Sequence, residues 1–172
     1  LAPDGVFIVE VGYAYDVQHG PFDCIYHEHM SCHSAAPLFP FFKRHGLEIR
    51  KVQRVKSQGG SLRVYVGHDT GSGCKWDEPG VNLGQLRSVI DARALTLGPV
   101  LNDLFYADKM VCIYGAPAKL TTLLYATGLD KMPFNCVGED NPRKIGRTTP
   151  GNHIPIVSVA DMLARKPDAI LV

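Results

Sequence analysis

The sequence predicts an α/β fold whose second half carries a doubly wound parallel sheet, and three observations carry that prediction. Residues 110–114, MVCIY, are a short unbroken apolar run, as a parallel strand buried on both faces requires. Helix signals and further short apolar runs alternate after it, and strand, helix, strand, helix, strand joined by right-handed crossovers is a doubly wound half sheet. Ahead of it, two stretches in which apolar and polar residues alternate flank KSQGG, as an antiparallel pair would.

Taken in order, LAPDG reads as a turn feeding a strand at residues 6–11. A histidine-bearing stretch follows, then a short helix at 37–45 closed by Gly46, and strands at 47–55 and 61–67. Residues 68–80, HDTGSGCKWDEPG, read as a linker on their glycines, Pro79 and charges. Leu83, Leu86, Ile90, Leu97, Leu101 and Leu104 keep helical spacing on one face, and Gly98 and Pro99 are expected to break or kink that helix. After MVCIY, GAPAK opens the helix LTTLLYAT, which Gly128 can end, and a second strand is expected at 134–137. A long polar loop, EDNPRKIGRTTPGNHIP, leads to Ser158 and Asp161, spaced as a helix N-cap and its third residue, and then to VADMLARK, a break at Pro167 and the strand AILV. The start at Leu1 and the finish on a strand suggest a piece of a longer protein.

Composition excludes several classes of function. The 172 residues are 45% hydrophobic, enough to bury a core in one domain or two small halves. Eighteen basic against seventeen acidic residues give a formal charge of +1, which offers no electrostatic footprint for nucleic acid or an anionic membrane. No apolar run reaches membrane-spanning length, and no signal peptide stands at the start, so a cytoplasmic location is expected. Cys24, Cys32, Cys74, Cys112 and Cys136 are odd in number and widely spaced, which predicts reduced core thiols rather than a disulfide frame or a zinc knuckle.

Four stretches carry chemistry. In FDCIYHEHMSCHS, residues 22–34, an extended backbone would send Tyr26 and Glu28 one way and His27 and His29 the other, so only a turn or helix start brings three of them together. The HExxH spacing of a zinc site is absent, and no metal is expected. Histidines capping backbone groups beside a polar loop are one reading; acid–base work is the other. An imidazole can take a proton, a carboxylate can orient it, and a tyrosine hydroxyl can donate to a developing oxyanion. In SQGGSLRVY, paired glycines permit positive φ or close backbone approach, and Arg63 is set to reach a carboxylate or phosphate; taken alone, this is an ordinary hairpin turn with a surface arginine. In YGAPAKLTT, a strand end, a glycine turn and a helix start aim backbone amides at one point beside Lys119, which suits either an anion or a plain crossover. In EDNPRKIGRTTPGNHIPI, Arg143, Lys144 and Arg147 lie beyond the second strand, at the carboxyl edge where open α/β sheets bind ligands. The last two stretches would share a rim, which favours a diphosphate.

Together FDCIYHEHMS, GGSLRVY, YGAPAKLTTLL and EDNPRKIGRTTPGNHIPI, in that order and over nearly all of the chain, resemble the last third of the sugar C-methyltransferases that act on nucleotide-linked deoxysugars. The resemblance implies closing strands of a class I methyltransferase-like domain over 1–67, the linker over 68–80, and a Rossmann-like nucleotide-sugar-binding domain over 81–172. It implies S-adenosylmethionine as methyl donor, gripped mainly by a portion upstream of this chain, and a nucleotide-diphosphate sugar as partner. A base removes the proton next to a keto group, the enolate is stabilised by hydrogen bonds, and its carbon takes the methyl group. By motif, His29 is the base, and Tyr26 and Glu28 orient the sugar or support the oxyanion. His27, Arg63, Lys119, Asn141, Lys144 and Arg147 are substrate-binding candidates, the last four of them for the diphosphate. Where the family pattern has an aromatic pair, Cys32 and His33 stand, and Gln58 replaces a histidine before the glycine pair, so a different sugar pocket is expected. A fragment of this extent is not expected to methylate alone.

Two rival readings use the same residues. A non-catalytic nucleotide- or CoA-binding-like α/β domain would bind through GAPAK and the basic loop, with YHEH structural. A nicotinamide-dependent enzyme would set Glu139 or Asp140 on a ribose, although the glycine spacing of that fingerprint is missing.

Overall fold

A computed structural model of the chain describes residues 1–20 and 25–172; Phe22, Asp23 and Cys24 of the histidine stretch lie outside the described residues, and with them the expectation for the Cys24 thiol. The chain forms two compact units. One takes the described residues of Leu1–Phe22 with Glu28–Val89, the other those of Asp23–His27 with Ile90–Val172.

The first unit is built on an antiparallel sheet of β1 (Phe7–Gly12), β2 (Leu47–Val55) and β3 (Ser61–His68), in the order β1-β3-β2. Alternation decides its faces: Leu62, Val64 and Val66 of β3 are fully buried and pack with Tyr13, Ile49 and Phe42. Phe42 comes from α2 (Leu38–Arg44), the helix expected before Gly46. A one-turn helix not anticipated from sequence, α1 (Ala14–Val17), follows β1. The SQGG turn between β2 and β3 needs its glycine. Gly60 has φ +126°, and a Cβ there would lie 2.4 Å from the Asp16 side chain, which is itself buried and paired with Arg54. Residues 69–82 form no helix or strand, and Cys74 N–H donates to the Ile49 carbonyl at 2.8 Å.

The second unit holds a four-stranded parallel sheet in the order β6-β5-β4-β7, from β4 (Val111–Tyr114), β5 (Val137–Glu139), β6 (Ile156–Ser158) and β7 (Ala169–Leu171). Successive strands run outward from β4 to β6, and β7 then returns to the other side of β4, so the winding reverses beside β4. The MVCIY run behaves as its composition requires: Val111, Cys112 and Ile113 are buried. They pack with Leu120, Leu124, Leu129 and Phe134 on one side, and with Cys136 and Met162 on the other. α4 (Ala118–Thr127) ends at Gly128, in the left-handed conformation, and α5 (Val159–Ala164) begins on Ser158, whose hydroxyl accepts the Asp161 N–H at 3.0 Å.

Three expectations are corrected. The helix α3 (Leu83–Tyr106) runs through Gly98 and Pro99 without a break. The carbonyl that Pro99 leaves without its helical donor belongs to Leu95, a residue 76% exposed, so water can satisfy it. The second strand begins at Val137, not 134; ahead of it Asn135 meets Val111 twice, its N–H donating to the Val111 carbonyl at 3.0 Å and its Oδ1 accepting the Val111 N–H at 3.0 Å. The polar loop after it ends in β6, an unexpected strand of three residues directly after Pro155 that is too short to show a period. The loop is held by backbone pairs, among them Gly146 N–H to the Ile156 carbonyl at 2.9 Å and Ile156 N–H to the Arg147 carbonyl at 2.8 Å. Of the cysteines, Cys112 and Cys136 are core thiols as expected, Cys74 is half-buried, and Cys32 is exposed. Among the described residues no helix is long and apolar enough to cross a membrane.

Candidate active site

The carboxyl edge of the parallel sheet joins two of the four sequence stretches. β4 ends at Tyr114, and Gly115, with φ +88°, turns the chain toward α4 while donating its N–H to the Gly138 carbonyl at 2.7 Å. β5 ends beside it at Glu139. The two strand ends are tied three ways: Tyr114 hydroxyl to Asp140 Oδ2 at 2.8 Å, Ala116 N–H to Glu139 Oε2 at 3.0 Å, and Lys144 Nζ to the Ala116 carbonyl at 2.9 Å. GAPAK and the basic loop therefore share one rim, as their sequence positions predict.

Glu139 is the hub of that rim, and sequence reasoning noticed it only as a ribose partner. Its Oε1 accepts the Asp140 and Asn141 N–H groups, each at 3.0 Å; its Oε2 accepts Ala116 N–H and lies 3.3 Å from Lys144 Nζ. The Asn141 N–H, followed by those of Ala116 and Lys144, holds the Glu139 carboxyl below the usual carboxylate range. The carboxylate thus bonds to backbone amides and Lys144, while Asp140, the other acid the nicotinamide reading named, accepts the Tyr114 hydroxyl. The Ala116 amide, one of those expected to greet an anion, already has one. Lys144 is likewise engaged by Glu139 and Ala116, while Asn141 Oδ1 accepts the Arg143 N–H at 3.0 Å and shapes the turn. Lys119 and Arg147 are exposed, Lys119 in the first turn of α4.

In the histidine stretch the chain bends at Tyr26 and turns at His27 and Glu28. Tyr26 is half-buried and its ring meets that of His27 edge-on, with centroids 5.9 Å apart; His27, Glu28 and His29 are exposed. Tyr26 and His27 belong to the second unit and Glu28 and His29 to the first. Within the second unit, Thr122 of α4 donates its hydroxyl to the Ile25 carbonyl at 2.8 Å. Thr122 was unmarked in sequence beyond being the second threonine of YGAPAKLTT. His33 is half-buried and its backbone is bridged to β1, with N–H to the Gly12 carbonyl at 3.1 Å and its own carbonyl accepting Ala14 N–H at 2.8 Å.

Arg63 lies in β3 directly across from Glu10 of β1, and that carboxylate receives its Nε at 2.8 Å and a terminal nitrogen at 2.7 Å. The hydroxyl of Ser57 donates to the other Glu10 oxygen, and that bond, then Arg63, keeps the Glu10 carboxyl below its ordinary range. The carboxylate that Arg63 was expected to reach is the protein's own. Beside the glycine turn, Asp16, Arg54 and Gly60 border a cavity of about 400 Å³, with Arg54 also lying 5.2 Å from the Tyr15 ring centroid.

Residues 56–172 match the sequence profile of the family described as C-methyltransferase C-terminal domain. The chain is also 31% identical, over 193 aligned positions and 99% of its length, to "C-methyltransferase NovU" of Streptomyces niveus. It spans 44% of that relative's length.

Proposed function

Because the chain belongs to the C-methyltransferase family, whose C-terminal domain it carries, we propose that it supplies the base and the nucleotide-sugar site of an S-adenosylmethionine-dependent C-methyltransferase acting on a nucleotide-linked keto-deoxysugar. The observation that carries this reading is the 2.8 Å bond from Thr122 to the Ile25 carbonyl. It sets the chain entering Tyr26 against the helix whose first turn bears Lys119, both within the second unit.

In this reading the sugar diphosphate takes its charge partners from Lys119 and Arg147, both exposed, one in the first turn of α4 and the other in the basic loop. Lys144, Asn141 and Glu139 fix the loop that carries Arg147. His29 takes the proton from the carbon next to the keto group through its neutral imidazole, and the C–H electron pair becomes the enolate. Tyr26 donates to the enolate oxygen and Glu28 orients the sugar. His27 and Arg63 border the sugar site. S-adenosylmethionine, when bound, supplies the methyl group. Among the described residues the glycine turns do not fit a cradle for it: Gly115 leads into α4 past Ala116, whose N–H is taken by Glu139, and the glycine pair at 59 and 60 closes an antiparallel hairpin. The methyl donor is therefore assigned to an upstream portion.

The test uses the full-length protein. Replacing His29 by alanine or asparagine abolishes methyl transfer and leaves the affinity for the nucleotide sugar, measured by calorimetric titration, within about twofold. Undiminished turnover removes His29 from the base role. Binding of thymidine diphosphate that is indifferent to the sugar, with no methyl transfer by the unaltered protein, favours the non-catalytic nucleotide-binding reading instead.

A further inference from the structure

Residues 74–80 of the segment whose composition reads as a linker, and Asn82 just after it, are fastened to the first unit along their length. Cys74 N–H donates to the Ile49 carbonyl at 2.8 Å, and Trp76 packs against the cluster that contains Tyr13 and Phe42. Gln18, 2% exposed, donates from Nε2 to the Gly80 carbonyl at 3.4 Å and accepts the Asn82 N–H on Oε1. Between these points stands Glu78. Its Oε1 accepts the N–H of Ala35 at 2.6 Å and its Oε2 that of Ala36 at 2.7 Å. Both distances are at the short end for an N–H bonded to a carboxylate.

The two amides lie at the exit of the histidine stretch, just ahead of α2, where the chain offers N–H groups that no helical carbonyl can take. Ala35 is fully buried, so its N–H has no recourse to water if Glu78 leaves. Further back, the His33 backbone is already bridged to Gly12 and Ala14. The exit of the stretch is thus pinned twice, once by β1 and once by a carboxylate arriving from more than forty residues downstream.

We propose that Glu78 is a positioning residue for the His29 segment: by clamping Ala35 and Ala36 it fixes the end of the loop on which the base rides. This rests on the methyl-transfer reading above for its catalytic consequence, and on the hydrogen bonds alone for its structural one. Glutamine at 78 keeps one acceptor oxygen and turns an NH₂ toward the second N–H; alanine keeps neither bond. The proposal therefore fixes an order of effects, with Glu78→Gln between the unaltered protein and Glu78→Ala.

The experiment has two arms. On the 172-residue chain, hydrogen–deuterium exchange over residues 25–36 rises in Glu78→Gln and rises further in Glu78→Ala, while β2 and β3 stay as protected as before. In the full-length protein, kcat for methyl transfer falls in the same order, reaching roughly tenfold to a hundredfold for alanine, as a base displaced by about 1 Å would give, while KM for the nucleotide sugar holds within about twofold. Unchanged exchange overturns the clamp. Raised exchange with unchanged kcat, or a loss confined to KM, overturns its positioning role. If Glu78→Ala does not fold, the comparison of Glu78→Gln with the unaltered protein decides by the same criteria. Full-length protein that transfers no methyl group, or that is indifferent to His29→Ala, defeats the methyl-transfer reading, and the exchange arm still decides whether Glu78 holds the segment.

Discussion

Replacing Glu139 by glutamine tests whether one carboxylate organises the rim between GAPAK and the basic loop. Four donors converge on it, Asp140, Asn141 and Ala116 N–H at 3.0 Å and Lys144 Nζ at 3.3 Å, and its side chain is only 12% exposed. Glutamine offers one oxygen, so whichever way its amide turns, two donors meet an NH₂. Hydrogen bonds to a charged group contribute about 1.5–3 kcal/mol, but Asp140 and Asn141 are exposed and Ala116 is half-buried, so water offsets part of each lost bond. Lys144 is 40% exposed, and water makes good much of its share. The expected loss is about 1–2 kcal/mol at pH 7, or roughly 2–8 °C in Tm for a chain of this length. The pH dependence adds a second criterion. Because the folded carboxyl is held below its usual range, the stabilisation is complete above the unfolded value near ~4.3 and is lost as pH falls through the folded value. Thermal unfolding followed by circular dichroism from pH 7 down to pH 3 should show that acid limb in the unaltered protein and a weaker one in the variant. A Glu139→Gln protein within about 0.5 kcal/mol of the original at pH 7, with the same acid limb, would refute the reasoning.

Other residues give independent checks. The Tyr13 hydroxyl is fully buried near Trp76 and Glu78, and burial, then the charge of Glu78, pushes it up to about 12. The unfolded phenol ionises near ~10, so stability should fall by about 2 kcal/mol between pH 10 and 12, and Tyr13→Phe should abolish that fall and be no less stable at pH 7 in urea titrations. Gly98 sits inside α3 with open space where a Cβ would go, so Gly98→Ala should raise stability by about 0.5–1 kcal/mol. Gly60→Ala should lower it by about 2 kcal/mol or more, since φ +126° and the Asp16 contact both oppose a side chain; equal effects of the two glycine changes would contradict this. Thr122→Val removes the bond to the Ile25 carbonyl, and in the full-length protein methyl transfer should drop several-fold, with exchange at residues 25–27 raised. Unaltered rates would separate α4 from the chemistry.

The parts of the fold that were legible in sequence are those whose signal is local. Leu62, Val64 and Val66 announce β3 by alternation, Ser158 and Asp161 announce α5 as cap and third residue, and Val111 to Ile113 announce a buried strand by having no polar member. Pro99 misled because a proline is read by the bond it removes, whereas the cost depends on whether the orphaned carbonyl reaches water, a property of the exposed face around Leu95. β6 has three residues, fewer than two periods of any pattern. The site divides in the same way. That GAPAK and EDNPRK meet at one rim follows from their places after successive parallel strands. Glu139, Glu78 and Thr122 bond to backbone groups 23, 43 and 97 residues away, and a backbone amide or carbonyl leaves no mark in a sequence that would name its partner.

The central claim, that His29 is the base which generates a carbanion on the sugar, is tested most directly by proton exchange rather than by methylation. Full-length protein is incubated with nucleotide-linked keto-deoxysugars in deuterated water, and mass spectrometry follows deuterium entering the carbon next to the keto group. The account predicts incorporation with the unaltered protein and none above background with His29→Ala, at matched substrate binding. Incorporation at the same rate in the His29→Ala variant would contradict it.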